Sequence, residues 1–178
     1  MLRGHRIAFV GGGVMGEAMV KGLLRDSLVT TEQIVVADPH VERLEHLRSL
    51  YDIPVTPSNT AAVDGRSIVI LSVKPQVMRV VLPDLNGRIA PSALVLSIAA
   101  GVSLETLMNG LASRSVVRAM PNTPAQIGQG ITVWVPTPYV TPEQLEQTKT
   151  ILSAMGEAVH ADDESFLDMA TALSGSGP

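Results

Sequence analysis

Cysteine is absent from the 178 residues of this chain, which excludes disulfide bonds, thiol nucleophiles and thiolate metal sites. Aromatic residues make up only 3% of the sequence, so we expect a core of aliphatic side chains and methionine. The formal net charge is -4 and no stripe of Lys and Arg occurs, which argues against nucleic acid as a partner. The lack of cysteine fits a cytoplasmic protein.

Long hydrophobic runs are also missing. The apolar stretch from Ile7 to Met15 follows a basic N-terminus, as in a secretory signal, but glycines interrupt it and Glu17 follows. A membrane-spanning helix needs about 18 apolar residues, and no run approaches that length. We therefore predict a buried strand here and no membrane partner.

Metal-binding patterns are the third absence. The acidic run Asp162-Asp163-Glu164 is interpreted as the charged start of a helix rather than as a metal site. The histidines lack the spacing of metal ligands, so we interpret them as surface residues and predict no metal. They are His5, His40, His46 and His160.

Short apolar runs alternate with helical patterns along the chain. Residues 67–73 are typical of a strand that is buried on both faces, and Val14–Arg25 carries apolar residues at helical spacing. This alternation predicts an α/β fold with a doubly wound, mostly parallel sheet. The predicted strands are residues 7–11, 33–37, 53–56, 67–73, 94–98, 116–120, 131–135 and 158–161. The predicted helices are residues 14–25, a segment from residue 42, and residues 58–64, 75–85, 104–111, 143–155 and 164–173.

The chain is divided into two parts by this pattern. We assign residues 1–161 to one domain and residues 162–178 to a linker helix, whose inward face is predicted to hold Phe166, Met169, Ala170 and Leu173. The sequence ends with Ser and Gly residues typical of a turn, followed by Pro178, and proline is favoured at the first position of a helix. We therefore expect a further helical region that is missing here.

A glycine-rich turn follows the first predicted strand and opens the first helix. Gly11 allows the tight turn, Gly13 lets the backbone approach a pyrophosphate, and Gly16 lets the helix pack closely. Val14 and Met15 lie in the first turn, whose N–H groups and partial positive charge favour a diphosphate. The alternative is a glycine-rich turn without a ligand. The context of strand, spacing and helix favours a Rossmann-type NAD(P)-binding domain.

The cofactor preference depends on Asp38, which lies 22 residues beyond Gly16. An acid there usually accepts hydrogen bonds from ribose hydroxyls, which favours NAD over NADP. Alternatively, Asp38 has no contact with the cofactor and only begins the Asp38-Pro39 turn that precedes the next helix. His40 and Arg43 lie close by and could neutralise a phosphate, so NADPH and NADH both remain open.

Further candidates lie where later strands end, because ligands of open α/β sheets bind at the carboxyl edge. Small residues after the fifth strand would let a flat ring approach the backbone, and prolines would stiffen the loop after the sixth. Each candidate could also be ordinary turn chemistry, and Lys74 alone is typical of a solvated strand end. The candidates on the cofactor side are Val73, Lys74 and Pro75, and then Ala99, Ala100 and Gly101. The candidates on the substrate side are Asn122 and Thr123.

Several motifs together resemble a known family. In chain order they are Gly-Gly-Gly-Val-Met-Gly, Ser-Val-Lys-Pro, Ser-Ile-Ala-Ala-Gly-Val, Arg-Ala-Met-Pro-Asn-Thr-Pro and Ala-Leu-Ser-Gly-Ser-Gly-Pro. Over essentially all 178 residues the chain is similar to pyrroline-5-carboxylate reductase. The last two motifs are the most specific, because generic dinucleotide-binding folds do not carry them.

The resemblance implies reduction of L-1-pyrroline-5-carboxylate to L-proline by NADPH or NADH. It implies cofactor contacts at Gly11 to Gly16, Asp38, Asn59, Val73 to Pro75 and Ala99 to Gly101, and it places Glu164, Ser174 and Gly175 on the substrate side. Family members continue into a helical domain that forms a homodimer and supplies most substrate contacts, and that domain is not part of this sequence. Asp38 departs from the small or basic residues common in NADPH-using relatives.

Hydride transfer to a cyclic imine fits a chain without an obvious nucleophile or catalytic dyad, because the protein mainly aligns the reactants and excludes water. Two other functions remain open. One is a different reductase on the same fold, such as a hydroxyacid dehydrogenase, and the other is a non-enzymatic dinucleotide-binding module. We expect the 178-residue chain to bind cofactor but to turn over poorly or not at all.

Overall fold

Strands and helices alternate along residues 2–170, the part of the chain that the computed structural model describes. The strands are β1 (Ile7–Val10), β2 (Ile34–Ala37), β3 (Val55–Thr56), β4 (Ile68–Leu71), β5 (Leu94–Ser97), β6 (Val116–Pro121), β7 (Gly130–Pro136) and β8 (Gly156–His160). The helices are α1 (Val14–Arg25), α2 (Val41–Tyr51), α3 (Asn59–Val63), α4 (Met78–Leu85), α5 (Leu104–Leu111), α6 (Pro142–Ser153) and α7 (Ser165–Ala170). This order agrees with the order predicted from the sequence.

One sheet joins the eight strands in the order β3-β2-β1-β4-β5-β6-β7-β8. β1 pairs in parallel with β2 on one side and with β4 on the other. The chain therefore crosses to the other side of β1 after β3, and the helices that follow β1 and β4 lie on opposite faces of the sheet. This arrangement confirms the predicted α/β class and opens a crevice at the carboxyl ends of β1 and β4.

β7 is antiparallel to β6, with Val117 aligned with Pro136 and Pro121 aligned with Thr132. The segment between these strands contains only the 3-10 turn Thr123–Ile127. A parallel connection needs a crossover of about a dozen residues or more, so this short turn returns the chain in the opposite direction. The sheet is thus mostly parallel, as predicted, with one reversal whose position the sequence analysis did not locate.

Two apolar layers, one on each face of the sheet, form the core. Every residue of β1, β2, β4 and β5 is buried, because helices cover both faces. Each fully buried aliphatic side chain stabilises the fold by about 1.5–3 kcal/mol. One layer contains Met19 and Leu23 of α1 with Ile151 and Leu152 of α6. The other contains Ala62 of α3, Val81 and Leu85 of α4, and Leu107 of α5.

The inward face predicted for the last helix is wrong at two positions. Phe166 and Met169 are each 49% exposed, whereas Leu167 is 0% exposed and packs against the sheet. The side chain of Glu164 fixes the start of α7 through two hydrogen bonds to other elements, and this contact sets which face of the helix turns inward. The predictions for Ala170 and Leu173 fall outside the described side chains.

The four histidines reach the surface, as predicted, but His5 does so only in part. Its ring is half-buried and lies 3.2 Å from Ser67 Oγ and 3.1 Å from the Gln147 amide nitrogen. The reason is its position at the amino ends of β1 and β4, where α6 passes across the sheet. The rings of His40, His46 and His160 are exposed.

Candidate functional site

A cleft of about 340 Å³ lies at the carboxyl edge of the sheet, where the loops after β1, β4, β5 and β6 meet. Several residues predicted from separate parts of the sequence therefore come together. Apolar side chains dominate its walls, and backbone N–H groups of the first turn of α1 lie at one end. The lining consists of Gly13, Val14, Met15, Ser72, Val73, Lys74, Ile98, Met120 and Pro121.

The turn after β1 needs glycine at two positions for reasons internal to the protein. Gly11 has φ of 103°, a left-handed value, and a Cβ there would lie 2.8 Å from Val73 Cγ1. A Cβ on Gly16 would lie 2.6 Å from the Gly11 carbonyl oxygen. The Ser72 hydroxyl donates to that same carbonyl at 2.7 Å, so the end of β4 braces the turn. These contacts fit the roles that the spacing predicts for Gly11 and Gly16.

Gly13 differs, because nothing in the protein requires a glycine there. Its φ of -65° and ψ of -176° suit any residue, and no atom lies within 4 Å of an added Cβ. Gly13 is the N-cap of α1, and no side chain caps this helix end. The start of α1 therefore has no side-chain cap, and the space where a Gly13 Cβ would lie is open. Such a cradle fits a diphosphate, which prefers a helix N-terminus.

Asp38 is buried beside the glycine-rich turn. Its Oδ2 accepts from Gly12 N–H at 2.9 Å, and its Oδ1 accepts from His40 N–H at 3.0 Å and lies 2.9 Å from His40 Nδ1. Burial acts to raise the pKa of Asp38, but the His40 and Gly12 amides and the His40 ring outweigh it, so the pKa is lowered. Asp38 thus ties the end of β2 to the turn. Its contact with a ribose stays a prediction.

A second group of charges holds α2 against the same turn. The Arg43 guanidinium donates to the Gly12 carbonyl and to the Glu17 carboxylate, while Tyr51 Oη donates to Glu17 Oε1 at 2.9 Å. Burial acts to raise the pKa of Glu17, but Arg43 and Tyr51 lower it overall. Burial and Glu17 raise the pKa of Tyr51 to about 12. Glu17 and Tyr51 were not predicted as site residues, since no spacing rule joins residues so far apart in the chain.

The other residues predicted to bind the cofactor lie along the same edge of the sheet and differ in burial and in hydrogen bonding. Ala99 is buried, Gly101 has φ of 70°, and Lys74 is exposed at the N-cap of the 3-10 turn that Pro75 opens. Asn59, at the start of α3, donates to Asp84 at 3.1 Å.

The remaining substrate-side candidates are only partly described. Asn122 Oδ1 accepts from Ile131 N–H at 2.9 Å and so closes the turn between β6 and β7, in which Thr123 is exposed. Ser174 and Gly175 lie outside the described residues.

Glu164 lies at the start of α7 and contacts two elements. Its Oε1 accepts from Arg118 Nη1 at 2.7 Å and from the Leu104 N–H at 2.9 Å. Arg118 is a buried cation in β6 that the sequence analysis did not single out. An arginine inside an apolar strand, as in Val116-Val117-Arg118-Ala119, was the available signal, because a buried charge requires a partner.

Within residues 2–170, no helix has both the length and the apolar character that crossing a lipid bilayer demands. The same residues contain no group of three or more His, Asp or Glu side chains with the geometry to hold a metal ion.

The strand order around β1, the crevice at β1 and β4, and the glycine-rich turn at the N-terminus of α1 together define a Rossmann-type dinucleotide-binding domain. The class predicted from the sequence is confirmed. The family described as "NADP oxidoreductase coenzyme F420-dependent" matches residues 6–101, more than half of the chain, and the chain belongs to this family.

Similar proteins cover the whole described domain. A curated pyrroline-5-carboxylate reductase of Synechocystis sp. is 40% identical over 97% of this chain and 64% of its own length. A solved pyrroline-5-carboxylate reductase from Coxiella burnetii is 30% identical with a TM-score of 0.92, over 98% of this chain and 65% of that one. A solved Plasmodium falciparum pyrroline carboxylate reductase with NADP bound is 25% identical with a TM-score of 0.86, over 98% and 64%.

These similarities confirm the resemblance that the motifs predict. The chain spans less than two thirds of the length of these relatives.

Proposed function

We propose that this chain binds NADPH or NADH across the cleft at the carboxyl edge, and that the protein containing it reduces L-1-pyrroline-5-carboxylate to L-proline. The observation that carries the proposal is the open space at Gly13, in front of an uncapped helix N-terminus. The names of the similar proteins supply the substrate, and the Plasmodium falciparum relative supplies the cofactor class.

Each part of the cleft would serve a different part of the cofactor. The amides of α1 and the bare Gly13 would hold the diphosphate. Val73 and the loop from Ala99 to Gly101 would lie beside the nicotinamide half, where small residues admit a flat ring. Ile98, Met120 and Pro121 supply an apolar wall that keeps water from the reacting atoms.

The proposed reaction needs no strong acid or base among the side chains. A bound nicotinamide ring would supply hydride to the imine carbon of the cyclic substrate. The imine nitrogen is basic and carries its own proton, so the product amine forms without a strong general acid on the protein. This fits the described part of the cleft, whose lining contains no histidine and no carboxylate. Alignment of the two reactants is then the main contribution of the protein.

The end of β2 favours NADPH over NADH in this proposal. Two backbone N–H groups already donate to Asp38, and its carboxylate also lies 2.9 Å from His40 Nδ1, so less of its hydrogen-bonding capacity is left for a ribose. Arg43 lies against the same turn, and its Nη1 has no partner among the described residues. A guanidinium with free N–H groups can pair with a 2′-phosphate.

The test is a titration of the 178-residue chain with NADPH and with NADH, followed by a substrate assay of the gene product that contains it. We expect saturable binding of NADPH by the chain and NADPH-dependent formation of proline by the gene product. Failure of both nucleotides to bind would overturn the proposal as a whole. Oxidation of a hydroxyacid without any reduction of pyrroline-5-carboxylate would instead favour a different reductase on the same fold.

A further inference from the structure

The carboxylate of Glu164 joins two elements that are far apart in the chain. One oxygen, Oε1, receives the Arg118 Nη1 donor at 2.7 Å and the Leu104 N–H at 2.9 Å. Arg118 is only 6% exposed, and Glu164 is 31% exposed. Hydrogen bonds to a charged group in such partly buried surroundings are stronger than those between neutral groups.

Both partners of Glu164 are directly connected to the walls of the cleft. Arg118 lies in β6, two residues before Met120 and three before Pro121, which line the cleft. Leu104 is the first residue of α5 and closely follows the loop that ends at Gly101. The Ser103 hydroxyl caps a different amide, that of Thr106, so the Leu104 amide depends on Glu164.

We propose that Glu164 is a positioning residue for the nicotinamide half of the cofactor, because its single oxygen fixes the loop after β5 relative to the end of β6. This inference rests on the proposed binding of a nicotinamide nucleotide, and it gives Glu164 a role in addition to the predicted substrate contact. Arg118 is the second positioning residue, since it holds the carboxylate in place. The glycine-rich turn and the end of β2 lie on the other half of the site, because β1 and β2 are separated from β6 by β4 and β5 in the sheet.

The inference predicts that the two halves of the cofactor respond differently to the loss of this contact. Glu164→Gln removes the charge with little change of shape. We expect it to raise the Kd for NADPH by about tenfold, a typical size for coupling between sites. The Kd for 2′-phospho-ADP-ribose, which lacks only the nicotinamide, should stay within about twofold of the parent value. Both constants are measured by isothermal titration of the 178-residue chain.

Two further variants make the test specific. Glu157→Gln removes an exposed carboxylate from β8 and should change neither Kd. Arg118→Met should reproduce the selective loss, and the double variant should bind NADPH about as weakly as either single variant, because both changes remove one contact. Since Arg118 is buried, the melting temperature of each variant is recorded alongside, and Glu164→Gln remains decisive if Arg118→Met fails to fold.

The outcomes separate this inference from the function on which it rests. A parent chain that binds neither ligand contradicts the proposed function. A parent that binds both, with a Glu164→Gln variant that loses affinity for both equally or for neither, contradicts only the positioning role. Selective loss of NADPH affinity supports it.

Discussion

At the scale of single residues, Gly13 can show whether the glycine-rich turn binds a ligand, because the fold itself does not require glycine at this position. We expect Gly13→Ala to change the free energy of unfolding by less than about 0.5 kcal/mol, because a poorer N-cap and a less flexible unfolded chain have opposite effects. The added methyl group should still weaken NADPH binding by about tenfold, since it occupies the space in front of the α1 amides. Urea unfolding and isothermal titration measure the two effects.

The neighbouring glycine is the matched control. A Cβ on Gly12 would lie 2.8 Å from Leu47 Cδ1 and 3.3 Å from Val36 Cγ1, so Gly12→Ala should lower the free energy of unfolding by about 1–3 kcal/mol. Parent-like NADPH affinity in Gly13→Ala would show that the diphosphate does not lie at this turn.

Asp38 should make stability depend on pH on the acid side. Burial acts to raise the pKa of its carboxyl group, but the amides of His40 and Gly12 lower it overall. A group whose pKa is lowered by folding stabilises the protein above its unfolded pKa, and this contribution is lost as the pH falls through the folded value. Asp38→Asn should therefore be less stable than the parent at about pH 7, and the difference should shrink towards about pH 3.

Urea midpoints of the parent and of Asp38→Asn, measured at several pH values, check this prediction. A difference in stability that stays constant over the whole acid range would mean that ionisation of Asp38 does not contribute. Asp162→Asn is a suitable control, because Asp162 is exposed and makes no hydrogen bond in the described part of the chain.

The sequence predicts some of these residues well, for a physical reason. The spacing of Gly11, Gly13 and Gly16 follows from local turn geometry, which a short stretch of sequence specifies. The partners of Asp38 do not follow in this way, because they depend on how β2 is placed beside β1. The sequence therefore predicts Asp38 as a candidate site residue but not its hydrogen bonds to Gly12 and His40.

At the scale of elements, α2 is held to the glycine-rich turn by Arg43, and this contact should influence cofactor choice. We expect Arg43→Ala to raise the Kd for NADPH by about tenfold or more, since a charge-assisted contact with the 2′-phosphate would be lost. The Kd for NADH should change much less. The ratio of the two constants, from parallel titrations at one ionic strength, is the measured quantity.

Arg48→Ala provides the control for this prediction, because Arg48 is exposed on the same helix and its side chain makes no hydrogen bond in the described part of the chain. A parent chain that binds NADH more tightly than NADPH, or an unchanged ratio in Arg43→Ala, would contradict the role assigned to Arg43. The first result would restore Asp38 as an acceptor for the ribose hydroxyls.

The helices and strands themselves were predicted from the sequence more reliably than the direction of β7 or the face that α7 turns inward. Continuous apolar runs such as Ile68–Leu71 identify strands that are covered on both faces. The reversal at β7 depends on the length of the connection after β6, which the pattern of strands alone does not show. The inward face of α7 depends on the anchoring of Glu164 by Arg118, a tertiary contact that periodicity cannot reveal.

At the scale of the whole molecule, the described residues contain the cleft proposed for the nucleotide but only part of the proposed substrate side. Glu164 is the one predicted substrate-side residue outside the β6–β7 turn that the structure describes, and Phe166 and Met169 beside it are half exposed. The division into residues 1–161 and a linker helix stays a prediction. The chain covers 64% of the Synechocystis relative, so the binding and the reaction must be tested separately.

The single tryptophan is a fluorescence probe of unfolding. Trp134 is buried in β7 and packs on the His160 ring, with 4.5 Å between the ring centroids. Its fluorescence should change in one cooperative step on unfolding, because it belongs to the same apolar layer as α1 and α6. Nucleotide binding can therefore be followed as a shift of that transition.

We expect NADPH to stabilise the 178-residue chain while producing little or no proline. A ligand at about 100 times its Kd adds about 2.7 kcal/mol to the free energy of unfolding, which corresponds to roughly 5–10 °C in melting temperature for a domain of this size. With pyrroline-5-carboxylate added, the oxidation of NADPH should stay near the uncatalysed rate, because the cleft alone does not align the substrate. Thermal unfolding followed at Trp134 and absorbance of NADPH test the two halves in the same samples. Stabilisation together with rapid proline formation would mean that the substrate contacts lie within these residues. Gly13→Ala is the control, because a tenfold weaker affinity should reduce the thermal shift to about half of the parent value.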